Sequence, residues 1–339
     1  MAGTVSSTRQ VASGSRTQEA LTRLLSFVAK LYYADARDQS EIARIAGVSR
    51  SSISRLLKQA RARGIVRISV EEHDLRERGL EDAMRQRFGL RHVVVVRPFA
   101  GSGVEAVRRT IGYVAGPVIS ELIRPRTLAG VAGGRTLADL VRYMAPTRPV
   151  AGVRVAQLMG NIGPAADLID AIELSRALAQ RFSGTFYALN APAFAEDGRA
   201  REVFLAHPHL REVWEMFRQM DVALVGIGTL TDSAFIERGV LEPAALATLR
   251  TAGAVGEICG RFFDRTGKEC ATAFRRRVMS IGLDELARRP DVVGVTNGPQ
   301  RAEALRAAFA GDLVKSLVID EAGARAVLAE PARLRRQRR

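Results

Sequence analysis

Two short amphipathic segments, separated by a single glycine, lie within residues 39–57. Their apolar positions recur at helical spacing and give each segment one apolar face: Ile42, Ala43, Ile45, Ala46, Ile53, Leu56 and Leu57. Gly47 suits the positive φ that ends a helix, and Ser49 is a preferred residue at the start of the next one. The pattern predicts a helix-turn-helix, whose second helix enters the major groove of DNA.

The outward face of the second predicted helix carries side chains that bind phosphate oxygens and base edges. They are Arg50, Ser51, Ser52, Ser54, Arg55 and Lys58. An ordinary helical hairpin with a solvated basic face is the alternative. The spacing of the apolar positions and the basic outer face are independent features, and together they favour DNA binding.

The flanking patterns complete a small DNA-binding head. Residues 18–33 place leucines and a valine at helical spacing and predict a third helix that packs under the motif. Residues 65–71 alternate apolar and polar positions, which predicts a strand that serves as a wing, with Arg67 facing the DNA backbone. Residues 1–17 are rich in Ser, Thr and Gly and are expected to be disordered.

From residue 92 onward, short apolar runs alternate with helical patterns. The β-branched run at residues 92–96 is typical of a strand buried on both faces. Further strands are predicted at residues 127–132, 153–158, 185–189, 222–227, 292–296 and 317–319, and helices at residues 104–123, 136–144, 165–182, 210–218, 243–251 and 302–309. The repeated strand-then-helix order predicts an α/β fold with a doubly wound, mostly parallel, Rossmann-like sheet.

These patterns divide the chain into five parts. Residues 74–88 read as a charged helix with only a thin apolar seam, which indicates a linker. The predicted parts are a disordered N-terminus at residues 1–17, a winged helix-turn-helix domain at 18–71, a linker helix at 72–90, an effector and oligomerisation domain at 91–330, and a basic tail at 331–339.

The distribution of charge supports a DNA-binding head. The chain of 339 residues has a formal net charge of +15, and residues 1–70 hold twelve Lys and Arg against four Asp and Glu. Five arginines in residues 331–339 supply most of the remainder, so the body is close to neutral. A local excess of positive charge is expected of a head that binds DNA phosphates.

Several classes of protein are disfavoured by composition. Cys259 and Cys270 are the only cysteines, and their spacing makes neither a zinc site nor a disulfide scaffold. No apolar run reaches the roughly 18 residues of a membrane span, and the N-terminus has no signal-peptide core, so we expect a cytoplasmic protein. The chain has no GxGxxG followed by an acidic residue and no P-loop lysine. No cofactor or metal is therefore expected, and no enzymatic activity.

Four predicted strands run into glycine-containing turns, at residues 133–136, 160–163, 228–229 and 297–299. In doubly wound sheets, ligands bind beyond the carboxyl ends of the strands. Glycines admit a ligand close to the backbone, and a helix that begins just afterwards offers free amides to a phosphate. The first turn, Gly133-Gly134-Arg135-Thr136, adds a charge and a hydroxyl. One such turn is weak support, but several in one domain favour an anionic small-molecule site.

Polar side chains near these turns suit the hydroxyl groups of a sugar. They are Gln157, Asn161, Asn190, Glu257, Asp264 and Asn297, and Gly160 and Gly228 lie in the turns themselves. Lys315 stands just before the last predicted strand, where it either reaches a ligand phosphate or is simply solvated. The four histidines are not placed with a serine and an aspartate as in a catalytic triad.

Six segments of the chain resemble the SorC-type sugar-binding transcriptional regulators, and they occur in that family's order. The segments are DQSEIARIAGVSRSSISRLLKQARARGIVRISV, GVAGGRTLADLV, VAQLMGNIG, ALVGIGTL, GAVGEICGRFFDRTG and NGPQRAEALRAAF. The resemblance implies an effector domain related to sugar-phosphate isomerases and deaminases, which binds a phosphorylated sugar in a dimer or tetramer. It also implies a phosphate loop at residues 133–136, with Gln157, Gly160 and Glu257 near the sugar.

The chain departs from the family pattern at three places. Ala132 and Gly133 stand where the family often has Ser-Trp, Asn161 replaces the second glycine of a pair, and Glu257 replaces an aspartate. These changes affect the identity of the sugar more than the grip on its phosphate.

We therefore expect a transcriptional regulator that binds a double-stranded DNA operator under the control of a phosphorylated sugar, as a homodimer or homotetramer. The alternatives are a sugar-phosphate isomerase or deaminase with a DNA-binding head, and an architectural DNA-binding protein whose body only oligomerises. The first alternative needs a positioned general base, and no cluster of Asp, Glu and His at the predicted strand ends supplies one.

Overall fold

A computed structural model describes residues 7–69, 74–163 and 167–329 of the chain. It divides into two compact units, Met1–His73 and Asp74–Arg339. Each unit has its own buried apolar residues, so each is described by itself. The basic tail predicted at residues 331–339 lies outside the described residues.

The first unit is helical and contains the predicted helix-turn-helix. Its helices are α1 (Ser7–Ala29), which continues into a π-helical turn (Lys30–Ala34), α2 (Gln39–Ala46) and α3 (Arg50–Ala62). Gly47 ends α2 with φ of 66°, and the Ser49 hydroxyl caps α3 by accepting from the Ser52 amide at 3.2 Å. Val28, Ile42 and Ile53 form the apolar centre, so helix α1 packs against the motif as predicted.

Two features of this unit differ from the sequence prediction. Helix α1 begins at Ser7, within the segment expected to be disordered. No strand forms over residues 65–69, and residues 70–73 lie outside the described residues. A lone strand has no hydrogen-bonding partner in this helical unit. Instead, the amides of Ile65 and Val66 donate to the Ala60 carbonyl at 3.0 and 3.4 Å and fold the chain back onto the end of α3.

The second unit is built on a parallel sheet, as predicted. Its strands are β1 (Val93–Val96), β2 (Leu128–Val131), β3 (Arg154–Gln157), β4 (Thr185–Tyr187), β5 (Val222–Gly226), β6 (Ala254–Ile258), β7 (Arg261–Asp264), β8 (Asp291–Val295) and β9 (Ser316–Asp320). Seven of them pair in the order β1-β9-β8-β5-β2-β3-β4, and all of these pairs are parallel. The strand order reverses between β2 and β5, which makes the sheet doubly wound.

Helices cover the sheet, and strands β6 and β7 form a separate antiparallel hairpin. The helices are α4 (Arg78–Phe88), α5 (Val104–Ser120), α6 (Arg135–Tyr143), α7 (Ala171–Arg181), α8 (Gly198–Ala206), α9 (Pro208–Gln219), α10 (Ala234–Glu237), α11 (Pro243–Thr251), α12 (Leu283–Ala287), α13 (Ala302–Ala310) and α14 (Glu321–Ala329). Because the residues of β1, β2, β5, β8 and β9 are almost all buried, these strands read as the continuous apolar runs seen in the sequence.

Helix α4 belongs to the second unit, although the sequence predicted a linker there. Its Met84 is part of the apolar core, and its Glu81 is buried in a two-fold hydrogen-bonded ion pair with Arg76, with both distances 2.8 Å. The charged composition that suggested a linker thus includes a buried, paired carboxylate. Helix α7 also begins later than predicted, at Ala171, and residues 164–166 lie outside the described residues.

Helices α5 and α6 pack closely because Gly112 has no side chain. A Cβ at Gly112 would lie 2.3 Å from the carbonyl oxygen of Asp139. We predict that Gly112→Ala lowers the free energy of unfolding of this unit by about 1–3 kcal/mol, since the helices must move apart. Urea denaturation followed by fluorescence of the single tryptophan, Trp214, measures the effect.

Gly79→Ala is the matched control for this substitution. Gly79 lies in the first turn of α4, where an added Cβ meets no atom within 4 Å. Alanine is the better helix former, so this variant should be as stable as the parent or slightly more stable. Equal stability of the two variants would contradict the close packing of α5 on α6.

Candidate functional site

The first candidate surface is the outward face of α3. Arg50, Ser51, Ser54, Arg55 and Lys58 are exposed there, and Ser52 is half-buried beside the helix cap. Arg55 hydrogen-bonds within its own helix, at 3.4 Å from both the Ser51 carbonyl and the Ser52 hydroxyl. Such long hydrogen bonds are weak, so the guanidinium is available to a partner in solution. The sequence placed all six side chains on one helix, and the structure does the same.

One residue of this unit lies differently from the prediction. Ile45 was expected on the buried face of α2, yet half of its surface (50%) is exposed. Ile42 fills the space against α1 and α3, and Ala43 and Ala46 are half-buried. Helix α2 has only eight residues and buries one large side chain, that of Ile42, while Ile45 faces outward.

The second candidate site is a cavity at the carboxyl ends of β2, β5 and β8, where the strand order reverses. Its volume is about 160 Å³. That is close to the roughly 150 Å³ that holds a six-membered ring in a protein interior. Doubly wound sheets bind their ligands at this reversal, because the loops on its two sides diverge and leave a crevice.

The start of helix α6 forms one wall of this cavity. Gly134 precedes the helix with φ of +142°, a conformation that L side chains rarely adopt, and its amide donates to the Ile169 carbonyl at 2.8 Å. The amides of the first helical turn have no partner within the helix, and the helix dipole is positive at that end. Residues 133–136 thus place the free amides of a helix start at the wall of the cavity, a geometry that is typical of anion sites.

Four arginines and four acids line the cavity: Arg108, Arg135, Arg238, Arg301, Asp170, Asp232, Glu237 and Glu257. Arg135 pairs with Asp232 at 3.2 Å and with Glu237 at 2.7 Å. Arg301 is buried, and it also pairs with Asp232 while it donates to the carbonyls of Ile227 and Asn297 at 3.1 and 2.5 Å. The cationic groups are thus fixed in place by acids and by backbone.

Unpartnered polar atoms concentrate in the same place. Among the described residues, four buried side-chain atoms have no hydrogen-bond partner, and three of them belong to residues that line the cavity. They are Arg108 Nε, Arg238 Nη2 and Thr296 Oγ1. Thr296 is only 2% exposed. Arg108 Nε still lies 3.7 Å from a carboxylate oxygen of Asp139, and Arg238 Nη2 lies 3.6 Å from one of Asp167. Buried polar groups in folded proteins are nearly always hydrogen-bonded, so the Thr296 hydroxyl is the atom of this cavity that suits a polar ligand.

Two side chains link the start of α6 to the end of β8. The Thr136 hydroxyl donates to Asn297 Oδ1 at 2.9 Å, and both residues are buried. The Asn297 carbonyl in turn accepts from Arg301. A ligand that binds the first turn of α6 therefore touches a network that reaches the turn after β8.

Glu257 lies on β6 and lines the cavity. Burial raises the pKa of its carboxyl to about 7, and the negative charge of Asp232 adds to the rise. Hydrogen bonds from the Gly260 amide and the Ser233 side chain oppose it. The sequence showed no cluster of acids at the strand ends, yet the structure brings Asp232 and Glu257 into one cavity.

Seven of the ten ligand residues predicted from the sequence line the cavity. They are Gly133, Gly134, Arg135, Thr136, Gly160, Gly228 and Glu257. Gln157 and Asn161 do not. The Gln157 amide is fully buried, donates to Met159 O and Asn161 Oδ1 at 2.7 and 2.9 Å, and accepts from the Leu189 amide at 3.0 Å. These two residues hold the loop after β3 rather than facing the cavity.

The prediction that Lys315 reaches a ligand phosphate is wrong. Lys315 precedes β9, so it lies at the amino edge of the parallel sheet, away from the carboxyl ends that bound the cavity. Its ammonium donates to the carbonyl of Ala287 at 2.7 Å and to that of Arg289. Burial lowers the pKa of this lysine.

Most of the charged residues of the cavity were not found from the sequence. Arg301 follows the Asn297-Gly298-Pro299 turn by two residues, so the turn was a usable signal for it. Asp232, Glu237 and Arg238 lie in and after a loop with no motif, and only the chain fold brings them to the cavity.

The described part of the chain shows neither a metal site nor a membrane span. No group of three or more His, Cys, Asp or Glu is arranged there to hold a metal ion. No helix within residues 7–69, 74–163 and 167–329 combines the length and the apolar character that crossing a membrane requires.

Both units match known families. A family model for a sugar-binding domain, Sugar-bind, matches residues 74–329, and a model of the MarR family matches residues 22–77. The first match covers most of the second unit and the second covers the helix-turn-helix. The two matches agree with the two compact units of the structure.

Several curated proteins are similar over most of this chain. A transcriptional regulator of Escherichia coli K12, YjhU, is 30% identical over 88% of this chain and 92% of its own. The sorbitol operon regulator of Klebsiella pneumoniae is 27% identical over 90% of this chain and 98% of its own. The crystal structure of the full-length sorbitol operon regulator SorC from that organism is 26% identical, and the match covers 90% of this chain and 98% of its own with a TM-score of 0.71. These relatives are transcriptional regulators.

The raised pKa of Glu257 predicts a pH dependence of stability. The folded state keeps this proton up to about pH 7, whereas the carboxyl of the unfolded chain releases it near its ordinary value of 4.5. The free energy of unfolding should therefore fall as the pH rises from about 4.5 to about 7. We predict that Glu257→Gln is more stable than the parent at pH 8, by up to about 3 kcal/mol.

Urea denaturation at pH 5 and pH 8, followed by Trp214 fluorescence, measures this difference. The side-chain amide introduced by Glu257→Gln keeps an acceptor for the Gly260 amide, so the gain should shrink at pH 5, where Glu257 is protonated in the folded state. Glu303→Gln, which removes an exposed carboxylate paired with Arg265, is the control. An equal gain at both pH values would show that the charge of Glu257 is not its cause.

Proposed function

The chain belongs to the SorC-type family of sugar-binding transcriptional regulators, and from this premise we propose that it controls a carbohydrate-catabolic operon in the cytoplasm. Its operator binding is modulated by a phosphorylated sugar that occupies the cavity of the second unit. The observation that carries the proposal is the meeting of the α6 start, four arginines and the unpartnered Thr296 hydroxyl in one cavity. That chemistry suits a phosphate.

The DNA half of the proposal rests on α3. Arg50, Arg55 and Lys58 are exposed and basic, and they contact operator phosphates and base edges. The serines between them, Ser51 and Ser54, add short hydrogen-bonding side chains that let the helix lie close to the bases. As a homodimer or homotetramer, the protein presents paired helices to two half-sites one or more helical turns apart.

The ligand half of the proposal rests on the two ends of the cavity. The phosphate lies against the first turn of α6, where Arg135 adds charge and Thr136 a hydroxyl. The sugar ring lies toward Glu257 and Asn297, whose polar side chains match hydroxyl groups. A ring of six atoms suits a cavity of about 160 Å³.

Ligand and operator influence one another through differential affinity. A phosphorylated sugar that binds one arrangement of the protein better than another shifts the population toward the first. Operator affinity then changes by the same factor as ligand affinity changes when DNA is bound. This holds for a repressor and for an activator alike.

We predict that Arg55→Ala weakens operator binding about tenfold or more, since one contact to a base or phosphate is worth roughly 1–3 kcal/mol. An operator fragment selected from random DNA by the parent protein serves as the probe, at physiological salt. Arg23→Ala is the control, because Arg23 is an exposed arginine of α1 that pairs with Glu19. Unchanged affinity in Arg55→Ala would exclude α3 as the reading helix.

We predict that Thr136→Val abolishes the ligand response and leaves operator affinity unchanged. Valine matches threonine in size but cannot donate to Asn297, so the buried link between the start of α6 and the turn after β8 is lost and the Asn297 acceptor is left unsatisfied. A thermal-shift screen against free and phosphorylated sugars, followed by operator binding with each hit, measures both effects. Thr248→Val, on the exposed side of α11, is the control. A normal response in Thr136→Val would place the ligand elsewhere.

A further inference from the structure

The carboxylate of Asp232 bridges two arginines inside the cavity. Its Oδ1 lies 3.2 Å from Arg135 Nη2, and its Oδ2 pairs with Arg301 Nη2. Arg135 is the first residue of α6, and Asp232 and the first turn of that helix line the same cavity. Asp232 thus holds the position that the cavity offers to an anion.

The arginines of the cavity are paired with acids of the protein. Asp170, Asp232 and Glu237 pair with three of the four arginines, and Arg108 lies 3.7 Å from Asp139, so each arginine has a carboxylate within 4 Å. An anionic ligand gains little from arginines that are already neutralised. For such a ligand to bind tightly, one carboxylate has to give way.

Asp232 is the acid placed to do so. Asp170 is fixed, since its side chain is 6% exposed, pairs with Arg238 at 2.8 Å and accepts from the Asp167 amide. Glu237 is 43% exposed and pairs with Arg135 at the rim. Asp232 is 27% exposed, and the backbone bonds between Thr229 and Asp232 hold its turn whatever its side chain does.

We propose that Asp232 is a specificity-determining residue, whose carboxylate stands in for the anionic group of the ligand between Arg135 and Arg301. Only a group with more charge and more acceptor oxygens than a carboxylate displaces it. A phosphate has a charge of about −1.5 to −2 and three such oxygens. Neutral sugars and sugar carboxylates are rejected. This inference rests on the proposed function of the cavity as an anion site.

Two consequences separate this role from a merely structural one. Asp232→Asn leaves Arg301 buried without the carboxylate that it pairs with, which lowers the melting temperature in phosphate-free buffer. Added phosphate takes the place of the missing carboxylate and restores the melting temperature. Loss of Asp232 also relaxes selection, so that a single carboxylate such as acetate becomes able to stabilise the protein.

The experiment uses the full chain at pH 8 and constant ionic strength, with inorganic phosphate and acetate as probes. Thermal shift and calorimetry measure binding in the parent, in Asp232→Asn and in a control, Asp167→Asn. Asp167 lies 3.6 Å from Arg238 Nη2, so its replacement removes the same charge beside the cavity but leaves the pairs of Arg135 and Arg301 in place. We expect about a tenfold or larger gain in phosphate affinity for Asp232→Asn and less than about threefold for Asp167→Asn.

The same measurements include the results that overturn the inference. An equal gain in both variants would show a general effect of charge, and no gain in Asp232→Asn would show that its carboxylate does not compete. If one of these two results is found and the parent still binds phosphate or a sugar phosphate, the proposed function stands and only the inference about Asp232 fails. If neither the parent nor any variant binds phosphate or a sugar phosphate, the proposed function and the inference both fail.

A second variant keeps the experiment possible if Asp232→Asn does not fold. Asp232→Ser replaces Asp232→Asn if the latter is unfolded in phosphate-free buffer, since serine is small and keeps the Thr229 turn intact. Restoration of either variant by phosphate, with no such effect of chloride at the same ionic strength, supports the competition. Failure of phosphate to restore both variants contradicts it.

Discussion

The geometry of the cavity in the second unit depends on where helix α6 begins. The strand order reverses between β2 and β5, so the loops after them diverge and expose the first turn of α6. Gly134 at φ of +142° lets the chain turn directly from strand to helix. The amides of that turn have no partner within the helix, and the arginines around it add positive charge. A Cβ at Gly133 would lie 3.0 Å from the Ile169 carbonyl oxygen, so a side chain there would press on the chain that leads into α7.

The arginines of the cavity need acidic partners because charged side chains are costly to bury. Arginines held beside an anion site cost stability unless acids neutralise them, and Asp170, Asp232 and Glu237 do this here. Burial raises the pKa of Glu257, and hydrogen bonds oppose this rise, but no neighbouring cation does. The pKa therefore reaches about 7, and the carboxyl is neutral below that pH. Most of the charge at the site is therefore neutralised within the protein itself.

Much of this architecture could be predicted from the sequence, because apolar periodicity and the residues at helix ends are local features of the chain. Apolar runs such as residues 92–96 mark buried strands, and Gly47 and Ser49 mark the ends of α2 and α3. The hairpin β6–β7 and the acids of the cavity could not be predicted in the same way. Asp232 and Arg301 are 69 residues apart and meet only through the fold. Closeness to a strand in the sequence does not fix the edge of the sheet at which a residue lies, and Lys315 precedes β9 and so lies at the amino edge, away from the cavity.

The proposed coupling between the cavity of the second unit and DNA binding by helix α3 is tested most directly by reciprocity. Operator affinity is measured with and without a sugar phosphate that binds the protein, and the affinity for that sugar phosphate is measured with and without operator DNA. We predict that both affinities change by the same factor, typically about 5–150-fold. A sugar phosphate that binds in the cavity and leaves operator affinity unchanged would contradict the coupling.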